Sequence, residues 1–312
     1  MIDSAETLTA AAPETVTSAA AKVETPLGRF VSDYCESKPA MAAFMVFCVL
    51  VFIAVFAPLI SPQNPYDLGE IDIMDSRLPP GAEGMTGMNH VLGTDDQGRD
   101  MMSAIFYGLR ISLGVGVMSG VIALCIGMTV GLMAAYFGGR FDSVIMRVVD
   151  LQLSFPAILL ALIVLAVLGK GVDKIIIALV AFQWAYYART VRASALVERS
   201  KEYIEAATCL ALSHRRIVFR HLLPNVIPPL IVVGTVQVAH AIALEATLSF
   251  LGVGLPLTEP SLGLLIANGF DYMLTGKYWI SFYPGIALLV TIFSINLVGD
   301  QLRDVLNPRL QK

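Results

Sequence analysis

The hydrophobic and polar positions of this chain sort into long blocks, not short alternations. Apolar stretches with few or no charges run from Met41 to Ile60, Ser112 to Phe137, Leu151 to Leu168, Ile175 to Arg189, Asn225 to Gly252 and Trp279 to Gly299. A bilayer crossing needs roughly 20 apolar residues, so these blocks predict six transmembrane helices in an all-α integral membrane protein. The fourth is the least regular, because Gln183, Trp184, Tyr186, Tyr187 and Arg189 crowd its far end, a composition that suits the membrane interface. Within the second, Gly116, Gly120, Ala123, Gly127 and Gly131 put small residues along one face, where a neighbouring helix can approach closely.

The flanks divide as clearly. Residues 1–26 are rich in Ala, Thr, Glu, Ser and Pro, without an apolar period and without the basic start and apolar core of a secretory signal. They predict a retained, disordered cytoplasmic tail. Over 27–40, Leu27, Phe30, Val31, Tyr34 and Cys35 share one helical face, with Arg29, Asp33, Glu36 and Lys38 on the other. That suits a short helix lying in the membrane surface, an ordinary juxtamembrane linker being the alternative. The first span (41–60) is followed by a polar segment (61–111), a core of five further spans (112–304) and a short tail (305–312).

Composition agrees: 56% of the residues are hydrophobic and 15% are charged, where a soluble domain has about a quarter charged. The net charge of -4 gives no reason to expect a nucleic-acid partner. Its distribution is more informative. Arg189, Arg192, Arg199, Lys201, Arg215, Arg216 and Arg220 lie between spans four and five, Arg140 and Arg147 between two and three, and Arg303, Arg309 and Lys312 at the end. The 61–108 loop is acidic, and Val253 to Tyr278 holds one Lys, Lys277. The positive-inside rule then puts both termini in the cytoplasm. Cys35, Cys48, Cys125 and Cys209 are scattered, so neither a disulfide nor a metal site is expected.

The cytoplasmic segment Glu202 to Asn225 is more structured than a tether needs. Tyr203, Ala206, Ala207 and Leu210 form one narrow apolar stripe on an otherwise charged helix, Ser213 is placed to cap a second short helix, and Pro224 leads into span five. From pattern alone this suits equally a helix that fits a partner's groove and one that lies on the bilayer.

Glu205-Ala206-Ala207, Arg220-His221 and Leu223-Pro224-Asn225 resemble the EAA loop of ABC importer permeases. Leu92-Gly93-Thr94-Asp95, Gly98-Arg99-Asp100, Gly108 to Leu113, Tyr136 to Gly139, Ser154-Phe155-Pro156, Leu248 to Gly252 and Gly299 to Asp304 look like the dipeptide/oligopeptide branch, and the likeness runs from about Lys38 to Pro308. Three positions depart from its pattern: Ala211 where the loop usually has Gly, Ser261-Leu262 where Trp usually precedes Gly263, and Asn307 before Pro308.

The resemblance implies a type I ABC importer permease fold with cytoplasmic coupling helices, located in the bacterial inner membrane. It implies as partners a homologous second permease, two ATP-binding ATPase subunits carrying the ATP and Mg, an extracytoplasmic substrate-binding protein and membrane lipid. The coupling residues it implies are Tyr203, Glu205, Ala206, Ala207, Leu210, Ala211 and Ser213. Di- or oligopeptides are the expected cargo, with glutathione, nickel chelates and opine-like solutes open as alternatives. No phosphate-cradling loop of the Gly-x-x-x-x-Gly-Lys-Ser/Thr type is present, so energy must come from another subunit and the chain is not expected to be an enzyme.

Glu245 sits about 30 Å up span five from Asn225 at about 1.5 Å per residue, near the outer interface where an acid reaches water, in a structural or gate-lining role. His240 lies deeper and on another face, as a packed or pathway-facing residue. Of the outer-segment residues Gly93, Thr94, Asp95, Gly98, Arg99 and Asp100, the three charged ones, Asp95, Arg99 and Asp100, are expected to fix the fold of the segment, substrate contact being the alternative, and Asp300, Arg303 and Asp304 to pair locally at the end of span six. An ion-coupled secondary transporter is the rival class; it tends to show internal repeats, and none is convincing here.

Overall fold

A computed structural model describes residues 26–306. The expected tail lies outside them save for Pro26, as do the final residues 307–312. The short helix α1 (Pro26–Cys35) turns at Glu36 and Ser37 into α2 (Lys38–Ile60), so the expected 27–40 helix ends earlier than its pattern suggested. Lys38-Pro39 opens α2 because proline is tolerated in a first helical turn, where its missing N–H has no partner to lose. α2 runs two residues past Pro58, which did not close it.

The polar segment folds into turns and a two-stranded antiparallel hairpin, β1 (Ala82–Glu83) with β2 (Asn89–His90). It hands over to α3 (Met101–Phe137), which begins eleven residues before the expected start of span two at Ser112. The cap explains the early start: the Asp100 carboxylate accepts from the Ser103 N–H at 2.8 Å. α3 is the central post, against which α6, α9, α2 and α10 pack. Its small stripe does what the pattern predicted. A Cβ added at Gly127 would lie 2.5 Å from Trp184 O, one at Gly131 2.5 Å from Ala188 O, and one at Gly116 2.7 Å from Ile242 Cγ1.

The expected third span is not one straight helix. α4 (Gly139–Ser154) and α5 (Ala157–Leu168) meet at 92° across Phe155-Pro156. Proline disfavours a helical conformation in the residue before it, and Phe155 is extended at φ -90°, ψ 142°. α6 (Val172–Arg199) outruns the expected Ile175–Arg189 in both directions, so Gln183 and Tyr187 lie mid-helix and buried, not at the interfacial end that their composition suggested. It is tied to α4 by Arg192, whose guanidinium grips Asp142 through two 2.5 Å bonds, and by the Arg189–Asp150 pair.

α7 (Glu202–Cys209) and a three-residue turn α8 (His214–Arg216) follow; a π-helical stretch, Ile217–Leu222, then leads without a break into α9 (Leu223–Phe250). The chain returns through α10 (Leu262–Phe270) to α11 (Trp279–Leu306). α2, α3, the continuous 214–250 helix and α11 are each long and apolar enough to cross a membrane, and the α4–α5 pair qualifies if counted as one broken crossing. Asp300, Arg303 and Asp304 do not pair as expected: among the described residues no ion pair joins them, and Asp300 and Arg303 instead line a cleft of about 590 Å³ beside α9.

Candidate functional site

Polar groups gather in three further places: the α7–α8 hook, the outer segment, and a groove at the α4–α5 break.

In the hook, α7 has two apolar edges. Ile204 and Ala207 turn inward and pack with Ile217 and Leu222, anchoring the hook to the base of α9. Tyr203, Ala206 and Leu210 form the outward edge, with Leu210 75% exposed and Glu205 beside them in solvent. The expected stripe is therefore split: Ala207 is buried, not presented, and Ile204, its inward companion, was missed. Tyr203 is held in place, its hydroxyl donating to Glu198 Oε2 at 2.6 Å while Asn225 Nδ2 donates to it at 3.1 Å. Burial and the Glu198 carboxylate push the phenol up to about 12, so it remains a donor at physiological pH.

Ala211 sits at φ +50°, in the left-handed region where glycine is at home. The tight turn is thus kept despite the departure from the family's pattern. Its neighbour Leu212 donates its N–H to Ala207 O at 3.2 Å. Ser213 occupies the cap position of α8, yet its side chain makes no capping bond, which corrects the capping expectation; the turn is closed instead by Ile217 N–H donating to Ser213 O at 3.1 Å. On the inner side, His214 meets the Tyr136 hydroxyl, and Arg199 lies over the Tyr136 ring at 5.9 Å. A cleft of about 740 Å³ opens between these residues, Glu205 and Cys209.

The outer segment is organised around buried charge. Arg99 is 1% exposed and its Nε donates to Asp95 Oδ2 at 2.6 Å, while Nη1 reaches Leu257 O at 3.4 Å. Thr94 receives the Leu78 N–H at 2.7 Å on its hydroxyl, and its carbonyl receives Trp279 Nε1 at 3.2 Å. Asp100, besides capping α3, pairs with His90 Nδ1 at 3.0 Å, and its N–H donates to Gln63 Oε1 at 2.6 Å. Gly93 and Gly98 lie at φ +81° and +82°, and a Cβ on Gly98 would fall 2.1 Å from Asp72 O. Gln63 and His90 escaped the sequence reading, since neither lies in a periodic block. Nearby, Tyr66 donates to Glu259 Oε2 at 2.7 Å; burial and that carboxylate hold its phenol well above the ordinary range.

Glu245 is not where the helical rise alone put it. It is 0% exposed and does not reach water. Its two oxygens accept from Ser112 Oγ on α3 at 2.9 Å and from Ser249 Oγ at 2.8 Å. The reason is α10, which folds back over α9 so closely that a Cβ on Gly263 would lie 2.4 Å from Ala246 O. His240, in contrast, is exposed and borders a groove of about 460 Å³ with Gln183, Gln237, Tyr186 and Thr247. Pro156 and Ala157, at the break between α4 and α5, form another part of its wall.

Residues 127–312 match the family model described as a binding-protein-dependent transport system inner membrane component. Residues 25–80 match the N-terminal TM domain of oligopeptide transport permease C. The chain is 41% identical over 269 residues to a putative peptide transport system permease protein of Brucella suis biovar 1, covering 86% of this chain and 88% of that one. It is 34% identical over 287 residues to the di/tripeptide transport system permease protein DppC of Pseudomonas aeruginosa, covering 92% and 93%. In fold it is similar to a chain of the MetNI methionine ABC transporter in an inward-facing conformation, with a TM-score of 0.54 and 22% identity over 66% of this chain and 97% of that one.

Proposed function

The chain belongs to the family of binding-protein-dependent transport system inner membrane components, and from that membership we propose that it is one of two permease subunits of an ATP-driven importer of di- and oligopeptides. The names of the Brucella and Pseudomonas relatives support the peptide cargo. The reading takes α2, α3, the broken α4–α5 pair, α6, α9 and α11 as six crossings. The basic residues of α4, the α6–α9 connection and the chain end put that side, with both termini, in the cytoplasm. Two ATPase subunits binding ATP and Mg sit beneath the hook, and an extracytoplasmic binding protein delivers cargo to the outer segments, Gly93 to Arg110 and Val253 to Tyr278.

The observation that carries this reading is the outward edge of α7. A small, semi-rigid apolar face of Tyr203, Ala206 and Leu210, with Glu205 beside it, stands free while its inner edge is bolted to α9. Motion imposed on that face is passed to a crossing helix through packed side chains. Ala207 and Ala211 contribute from within, as anchor and as turn, and Ser213 starts the return. His240 faces the pathway, whereas Glu245 holds the outer loop.

Replacing Glu205 by Lys, or Ala206 by Trp, is expected to abolish ATP-driven uptake while the protein still inserts and assembles. Wild-type uptake in both variants, with assembly unchanged, removes the coupling role. Uptake that persists without an ATPase partner favours an ion-driven carrier instead.

A further inference from the structure

The groove at the α4–α5 break has a composition that a lipid-facing surface does not tolerate. His240 is exposed on a crossing helix, and a polar side chain facing hydrocarbon at depth costs several kcal/mol. The broken backbone at Phe155-Pro156 is exposed as well, and irregular backbone within a membrane persists only where it lines a cavity or lies against protein.

The elements meet at one depth. The C-terminal end of α5, the start of α6 and the end of α9 lie together, joined by Gly171 N–H donating to Gly254 O at 3.2 Å. Counting back from those ends, Ala157, Gln183 and His240 are ten or eleven residues away, which at about 1.5 Å each is roughly 15–17 Å. Half of a hydrocarbon layer of about 30 Å is the same distance. On the six-crossing reading, Gln183, His240 and the first backbone N–H groups of α5 thus gather near the membrane midplane, beside an interrupted helix.

Two features describe what would fit there. The first N–H groups of α5, at Ala157 and Ile158, have no intrahelical partner, and the positive end of the helix dipole favours an anionic group. Independently, Gln183 is 2% exposed and lines the groove; its Nε2 donates to Gln237 O at 2.9 Å, but its Oε1 has no hydrogen-bond partner. A buried acceptor left unpaired calls for a donor. No Asp, Glu, Lys or Arg lines the groove, so it is not built for a bare metal cation.

We infer that this groove is a mid-membrane cargo site that takes the C-terminal carboxylate and adjoining amide N–H of a peptide. The carboxylate lies against the start of α5 and His240, and an amide N–H donates to Gln183 Oε1. The inference rests on the peptide-permease reading above and adds the part of the peptide that is recognised.

The test uses the complete importer in proteoliposomes, with its binding protein saturated by a tripeptide or by the same tripeptide amidated at its C-terminus. The unaltered complex is expected to move the free acid about tenfold faster, the factor to which a charge-assisted hydrogen bond of about 1.4 kcal/mol corresponds. His240→Ala and Gln183→Leu each bring that ratio toward one, and His240→Gln retains most of it. A loss of folding or assembly slows both peptides alike and leaves the ratio untouched. Where a variant moves neither peptide, Thr247→Cys in a chain whose four native cysteines are replaced by Ser decides: labelling by a water-soluble maleimide is expected to be slowed by the free acid more than by the amide. A ratio of one in the unaltered complex, a ratio unchanged in His240→Ala and Gln183→Leu, or labelling indifferent to peptide overturns the site. Failure of the underlying reading looks different: the unaltered complex then shows no ATP-dependent uptake of either peptide.

Discussion

Replacing Ala211 by Gly should stiffen the hook. An L-residue in the left-handed region carries a penalty of roughly 1–2 kcal/mol from the contact between its Cβ and the following carbonyl. Ala211 is exposed at φ +50°, so removing its methyl forfeits little packing. Against that gain stands the greater freedom of glycine in the opened state, about 0.5–1 kcal/mol. The net is a stabilisation of about 0.5–1 kcal/mol, or a two- to fivefold drop in the population of the opened turn. Amide exchange followed by mass spectrometry, on the protein in nanodiscs, reads this directly at Leu212, whose N–H is bonded across the turn to Ala207 O. Ala211→Val is the opposing control: a β-branched residue is worse at this backbone angle, and exchange should quicken. Exchange that is equal or faster in Ala211→Gly, or slower in Ala211→Val, refutes the assignment of strain to this turn.

Further outcomes follow from the same geometry. Gly127→Val sets side-chain atoms against Trp184 O and should lower the thermal midpoint in detergent by an amount equivalent to about 1–3 kcal/mol, whereas Gly114→Ala, with nothing within 4 Å, should not. Glu245→Gln keeps an acceptor for one of the Ser112 and Ser249 hydroxyls and offers the other an N–H that its oxygen can accept, and should cost about 1 kcal/mol or less, while Glu245→Leu strands both hydroxyls and should cost about 2 kcal/mol or more in the same melt. Arg99→Leu leaves Asp95 buried and unpaired at a cost of about 3–5 kcal/mol, seen as faster proteolysis of the outer segment; adding Asp95→Asn should restore part of the protection.

Much of this architecture is written in block hydropathy, because a crossing helix must satisfy its own backbone and present apolar side chains over its whole length. α2 and α11 are legible for that reason, and the small stripe of α3 because close packing demands it at a fixed period. The break at Phe155-Pro156 is blurred in hydropathy because Leu151, Leu153 and Phe155 carry the apolar run of α5 back across it, although α4 as a whole is amphipathic; the restriction that proline imposes on its predecessor marks it. Glu245 shows the other limit. Counting residues along α9 gives its height but not what lies beside it, and α10, far away along the outer loop, is what covers it. In the hook, periodicity announced an apolar helix, but eight residues with apolar groups on two edges do not say which edge is inside. Ile204 is the residue that answers, and its significance depends on Ile217 and Leu222 across a turn.

α3 touches both ends of the machine. Its first turn is clamped by the outer fold through Asp100, and near its last turn Tyr136 meets His214 and Arg199 of the hook region. Over 37 residues it spans about 55 Å without a proline, so a tilt of about 5° at one end displaces the other by about 5 Å. On the proposed coupling, α3 is a lever arm without a proline joint, carrying a small rotation at the hook to the segment around Asp100.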